Sequence, residues 1–432
     1  MVNMLKIPTH LITAGSSWLS KIIIAGVQLL SVKYLLEMLG ENNYAIFSLL
    51  TGLMIWCSII DLGIGNSLQN FISELRAKNQ DYSLYIKAAL QLLLLASISF
   101  IGVLFVLSKL ISEFYLSSFH ESLHGHEAFV FFSTVVVFGL VGAGTVGYKI
   151  LFAELVGWKA NVINGISYLV GLICILTFYF LQIKISIVTA LIALYAPVAF
   201  LSLIYLCYRY YHLPELKPKK EYYKDILKRT YGFFIFTLLS ILVLQADYIV
   251  ISQKLSSAEI VKYTVTMKIF GLIFFIYTAV LQALWPICAE YRIRKEWSKL
   301  RKTVAVNIIG GVFFIFVSTF AFYLFKSTVY GILSPALDAN ISIYIFILLA
   351  VYFSVRVWCD TFAMLLQSMN ALKVLWFLVP CQAIISGWAQ WVLAGKYGIL
   401  GVLIGLTLSF LLTVFWGLPV TYFNMVKKEV HQ

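Results

Sequence analysis

The stretch ILGVLIGLTLSFLLTVFWGLPVTY, residues 399–422, runs for 24 positions without a charged side chain. Wound as a helix at about 1.5 Å per residue, it is long enough to cross a hydrocarbon layer of about 30 Å. Cutting the rest of the chain at its charged and turn-rich stretches gives eleven more runs of this kind. They lie at 11–36, 44–64, 84–107, 128–150, 162–180 and 185–208, then at 231–251, 263–288, 303–325, 341–367 and 374–393. The fold class expected is an all-α polytopic membrane protein with about twelve transmembrane helices. Composition points the same way: the chain is 61% hydrophobic and only 12% charged, against about 25% charged for a soluble protein. The first run is too long for a signal-peptide core and has no small-residue cleavage site after it, so it is read as a retained span.

Basic residues set the orientation. With the N-terminus inside, twenty-two of the 32 Lys and Arg fall at cytoplasmic ends, six at the opposite ends (Lys109, Lys184, Lys254, Lys262, Lys326, Lys396) and four within spans. This is the positive-inside asymmetry, and it places both termini in the cytoplasm. The net charge of +13 is thereby accounted for by insertion, and no nucleic-acid partner is expected. The longest inside loop, RYYHLPELKPKKEYYKDILKR (209–229), interleaves Tyr and Lys in a way that suits an interfacial segment against anionic headgroups. It is read instead as a linker carrying stop-transfer charge. The six cysteines are isolated within apolar runs and are read as packing residues.

The linker divides the chain evenly. Residues 1–215 form an expected N-terminal six-helix bundle, 216–230 a cytoplasmic linker and 231–432 a C-terminal six-helix bundle. An even number of spans per half gives both halves one orientation, related by a pseudo-twofold along the membrane normal. A trace of repeat joins YLLEMLGENNYAIFSLL (34–50) to IVISQKLSSAEIVKYTVTMKI (249–269): a span end, a short polar turn, then a Tyr opening the next span.

Three segments carry a family resemblance: LQADYIVISQKLSSAEIVKYTVTMKI (244–269), ALWPICAE (283–290) and IIDLGIGNSLQNFISE (59–74). They resemble the polysaccharide-export branch of the multidrug/oligosaccharidyl-lipid/polysaccharide (MOP) exporter superfamily, and within it the Wzx-type O-antigen flippases. The resemblance implies a MATE-like pair of six-helix bundles facing a central cavity. It also implies an activity, the movement of undecaprenyl-pyrophosphate-linked oligosaccharide from the inner to the outer leaflet of a bacterial inner membrane. A polysaccharide polymerase and a chain-length regulator are the protein partners such an activity implies. The positions that match the pattern are Asp61 with Gly63 and Gly65, Asp247 and Tyr263, and Trp285 with Pro286. None of them is catalytic, and no cofactor or metal is expected.

What individual residues do is argued from cost. A charge at the centre of a span is unfavourable by about 2.5–3.5 kcal/mol, so each one needs a partner or water. Arg356 and Asp360, four apart in FSVRVWCDTF (353–362), share a helical face and read either as a self-neutralising pair or as part of a transport site. Lys21, near the middle of the first span, has no helical neighbour of opposite charge, and Lys33 in the same span and Lys268 in the eighth are further candidates. For a pyrophosphate cargo, Lys21, Lys268 and Arg356 are the expected substrate-binding counter-charges. Asp247, Asp360 and Asp61 are the candidate coupling or counter-ion acids. Asp247 reads first as counter-ion of Lys268, and alternatively as a proton or Na⁺ coupling site.

Other signals are set aside. GLVGAGTVGYK (139–149) contains a formal GxGxxG, but it lies inside a span and follows no strand, so it reads as a helix-packing face, as does the GxxxG of Gly401 and Gly405. HESLHGHE (120–127) reads as a solvated loop. No phosphate-loop motif occurs, so ATP hydrolysis is not expected. Two rivals remain: a MATE-like drug or cation antiporter, which calls for an acidic aromatic cavity, and a membrane polymerase, which needs a larger outside loop bearing acids or arginines.

Overall fold

The computed structural model describes residues 9–333, 341–369 and 373–430. Every regular element among them is helical. The chain divides into two compact units, Met1–Leu238 and Leu239–Gln432.

The first unit contains α1 (Thr9–Cys57), α2 (Ile64–Ala77), α3 (Ser83–Tyr115), the short α4 (His120–Leu123), α5 (Glu127–Ala153), α6 (Gly157–Phe180), α7 (Ile187–Tyr211) and most of α8 (Lys220–Leu244). The second contains the end of α8, α9 (Ala246–Lys254), α10 (Ser257–Ile293), α11 (Trp297–Leu324), α12 (Lys326–Leu333), α13 (Ile343–Ser368), α14 (Lys373–Tyr397), α15 (Ile399–Leu412) and α16 (Val414–Val430).

Ten helical stretches among the described residues are long and apolar enough to cross a membrane. One of these, Gly15–Asp61, has 47 residues, about twice what one crossing needs. It bends at Gly40, whose φ of 75° and ψ of 168° interrupt the helical path in a region that suits glycine. The α8–α9 segment, which breaks at Gln245 (φ −128°, ψ 4°), is not among the ten. Counting α1 as two crossings and α8–α9 as one gives the twelve expected.

Exposure is inverted relative to a soluble protein. Leu94, Leu95 and Ile98 on α3 are each 63% exposed, which fits a helix whose outer face is solvated by lipid tails. Inward faces are built from small residues that let backbones approach. On α5, Gly142 lies against the Cys57 carbonyl and Gly144 against Ser202 of α7. On α15, an added Cβ at Gly401 would stand 2.1 Å from the Leu393 carbonyl oxygen of α14. The glycine runs are therefore helix-packing faces.

Two elements differ from the sequence expectation. Residues 64–77, which fall almost wholly between the second and third expected spans, form α2, whose Ile64, Leu68, Phe71 and Ile72 are buried while Asn70 and Glu74 are exposed. The segment 216–230 is not a free connection. From Lys220 it is already α8, and Ile226 joins Ile64, Leu68, Phe71, Ile86 and Leu213 in one apolar cluster, with Tyr222 and Tyr223 packed against it. Docking on the first unit explains why a lysine-rich stretch still carries alternating aromatics.

Candidate functional site

Asp61 ends a 3-10 turn, Ser58–Asp61. Leu62 (φ 49°) and Gly63 (φ 82°) follow in the left-handed region and turn the chain into α2. The carboxylate, 6% exposed, accepts the Gly63 N–H at 2.8 Å, the Gly65 N–H at 3.2 Å and the Lys149 ammonium of α5 at 3.1 Å. An anion at a helix N-terminus, facing free N–H groups and a lysine, is satisfied on every side. A Cβ at Gly65 would come within 2.8 Å of Asp61 Oδ2. Asp61 is thus the counter-ion of Lys149, a basic residue that the sequence by itself assigns only to topology.

Asp247 sits in the first turn of α9, immediately past the break at Gln245, where freed N–H groups favour an acid. It is 5% exposed. Its Oδ2 accepts the Tyr263 hydroxyl of α10 at 2.6 Å, while Oδ1 is buried and finds no hydrogen-bond partner among the described residues. The sequence favours Lys268 as counter-ion; the structure puts a phenol there. Tyr263 is one of the pattern positions, but nothing in a spacing of sixteen residues across a polar turn announces the contact. Lys268 itself is half-buried on α10, and no ion pair or hydrogen bond to it is found among the described residues.

Arg356 and Asp360 do meet. Nη2 donates to Oδ2 at 3.0 Å on α13, and the guanidinium lies 4.5 Å from the centroid of the Phe274 ring of α10. Both side chains keep partial exposure, 21% and 28%. Among the described residues Arg356 Nε is buried without a hydrogen-bond partner, so the guanidinium retains donor capacity. Lys21 is half-buried on α1 in the first unit. The side chains of Trp285 and Pro286 lie outside the described residues.

A second polar set surrounds the start of α8. Arg229 donates to both oxygens of Glu74 on α2, at 2.7 and 2.9 Å, and lies 4.0 Å from the centroid of the Phe71 ring. The Arg229 hydrogen bond holds the Glu74 carboxyl below its ordinary value, and Glu74 in turn raises Arg229. Glu154, after α5, accepts from Arg209 of α7 and from Tyr82. These pairs escape sequence reading because their partners are 55 to 155 residues apart; only the apolar spacing of α2 offers a signal.

No group of three His, Cys, Asp or Glu able to hold a metal occurs among the described residues. Residues 120–127, expected as a solvated loop, instead run from α4 to the first residue of α5, where Leu123 and Glu127 are buried and His120 Nδ1 lies 2.8 Å from Glu127 Oε1.

Comparison with known proteins adds an independent line. The family model described as polysaccharide biosynthesis protein matches residues 13–292. A relative from Salmonella typhi, named as an O-antigen transporter, is 58% identical over 427 residues, covering 99% of each chain. Among solved structures, the chain is similar to an inward-facing multidrug resistance MATE family transporter of the MOP superfamily. That match has a TM-score of 0.75 and 14% identity, and covers 93% of this chain and 96% of the other. It is equally similar to the lipid II flippase MurJ in an inward closed conformation: TM-score 0.75, 11% identity, covering 95% of this chain and 87% of the other.

Proposed function

Because the chain belongs to the polysaccharide biosynthesis protein family, we propose that it is a transporter and not an enzyme: a flippase of the polysaccharide-export branch of the MOP superfamily, carrying undecaprenyl-pyrophosphate-linked O-antigen units from the cytoplasmic to the periplasmic leaflet. The observation that carries this reading is the 58% identity, over 99% of each chain, with a relative named for O-antigen transport. It resides in the bacterial inner membrane with both termini in the cytoplasm, and works by alternating access.

The charges suggest how an anionic cargo and an ion are coupled. In the second unit, Lys268 and Arg356 are balanced by Asp247 and Asp360, so the intramembrane set has no net charge while both acids are ionised. Neutralising Asp247 with a proton or Na⁺ leaves one positive charge in excess, when a pyrophosphate most needs it. The bond to Tyr263 and the unpartnered second oxygen favour this role over pairing with a lysine. Lys21 adds cationic charge from the first unit. The membrane potential assists: two negative charges moving outward across 100 mV, inside negative, gain about 2 × 2.3 kcal/mol.

The test is deletion of the gene in its native strain. Lipid-linked repeat units accumulate on the cytoplasmic leaflet and surface polysaccharide disappears, and both are restored by the wild-type chain. Normal surface polysaccharide in the deletion strain would end the proposal.

A further inference from the structure

We infer that the groove between α10 and α11 is the seat of the cargo's isoprenoid chain, an assignment that rests on the flippase reading and deepens it. The groove has a volume of about 530 Å³ and is walled by Ile276, Val280, Val306, Gly310 and Phe314, with Lys302 at one end. That size is within the range of sites that hold small organic ligands, about 300–1,000 Å³, so the groove takes a segment of the long isoprenoid chain and leaves the rest in the bilayer. Its polar floor is internally satisfied: Asn307 donates to the Tyr277 hydroxyl at 3.1 Å, and that hydroxyl also contacts Thr361. What remains for a ligand is apolar. Val306 is 61% exposed, as are Ile309 and Phe313 beside it at 69%, so the groove opens where α11 faces hydrocarbon. Gly310 contributes open space, with nothing within 4 Å of where a Cβ would stand.

Charge selects the occupant. Lys302 stands at one end of the groove. Beyond the other, two turns along the ridge Ile276, Leu272, Lys268, is the half-buried Lys268, its backbone about 12 Å from that of Ile276 along the helix axis. A resident phospholipid keeps its anionic group at the membrane surface and has use for only the first of these cations. A lipid in transit carries its phosphate from surface to mid-membrane, and the two lysines bracket that movement while the chain stays in the groove. Both cations and the groove belong to the second unit.

The full-length protein in nanodiscs, exposed to a photoreactive polyprenyl phosphate analogue, provides the test. Label is expected on 276–284 and 303–314, displaced by undecaprenyl phosphate and not by equal phosphatidylglycerol. Gly310→Leu, which fills the groove, abolishes that label in protein that remains monodisperse, and Val306→Trp does the same should Gly310→Leu misfold. Label elsewhere, equal displacement by phosphatidylglycerol, or undiminished labelling of the filled variants overturns the assignment. The two failures are separable. A wild-type chain that restores surface polysaccharide but does not label in the groove refutes the groove alone, whereas one that restores nothing refutes the flippase reading itself.

Discussion

Among the described residues Asp247 accepts one side-chain hydrogen bond, from Tyr263, where a buried carboxylate ordinarily accepts several hydrogen bonds. An amide oxygen can accept the same Tyr263 hydroxyl, so Asp247→Asn keeps the contact and removes only the charge. Normal abundance is expected, with export that no longer responds to external pH or Na⁺. Loss of the protein from the membrane would instead mark Asp247 as structural. Gly63 makes a sharper steric case. Its φ of 82° lies where a side chain adds roughly 1–2 kcal/mol, and a Cβ there would stand 2.9 Å from Phe234 N and from Phe233 Cβ of α8. Gly63→Ala is expected to lower the melting temperature of the purified protein measurably, whereas Gly102→Ala, with open space around it, is not.

At the scale of elements, the start of α8 is clamped to α2 by Glu74 and Arg229. The Glu74 value is lowered in the folded protein, so its contribution is present in full above the ordinary glutamate range and is lost as pH falls through the lowered value. The pair is half-exposed, so solvent screening limits it to about 0.2–1 kcal/mol. Glu74→Gln should therefore reduce thermal stability slightly at pH 7, and the difference from wild type should vanish in acid; a difference that grows in acid would contradict the clamp. The turn between α9 and α10 is legible in advance. Ser256 and Glu259 form a reciprocal capping box, the Ser256 N–H donating to Glu259 Oε2 at 3.0 Å and the Glu259 N–H to Ser256 Oγ at 3.4 Å. The docking of α8 is not legible, because its aromatics have meaning only against α2 and α3.

For the molecule as a whole, the balance of intramembrane charge decides both insertion and transport. Arg356→Ala leaves Asp360 unpaired, a change of about 2.5–3.5 kcal/mol at mid-membrane, and should lower abundance. Arg356→Ala with Asp360→Ala removes both charges. Abundance should recover while export stays impaired, as quantitative blotting beside a surface-polysaccharide assay would show. Recovery of both would reduce the pair to a structural element.

Span number and the packing use of the glycine runs were determined by the sequence alone, since lipid solvation and close helix approach act on local composition and each leaves a period or a length in the chain. The Arg356–Asp360 contact was equally local, four residues on one helix. Tertiary structure decided the rest. It set a tyrosine on Asp247, gave Asp61 to Lys149, folded the apparent linker into the first unit and opened a groove between α10 and α11. Each of these depends on which helices lie side by side, and a charge or a gap between two helices is a property of neither one.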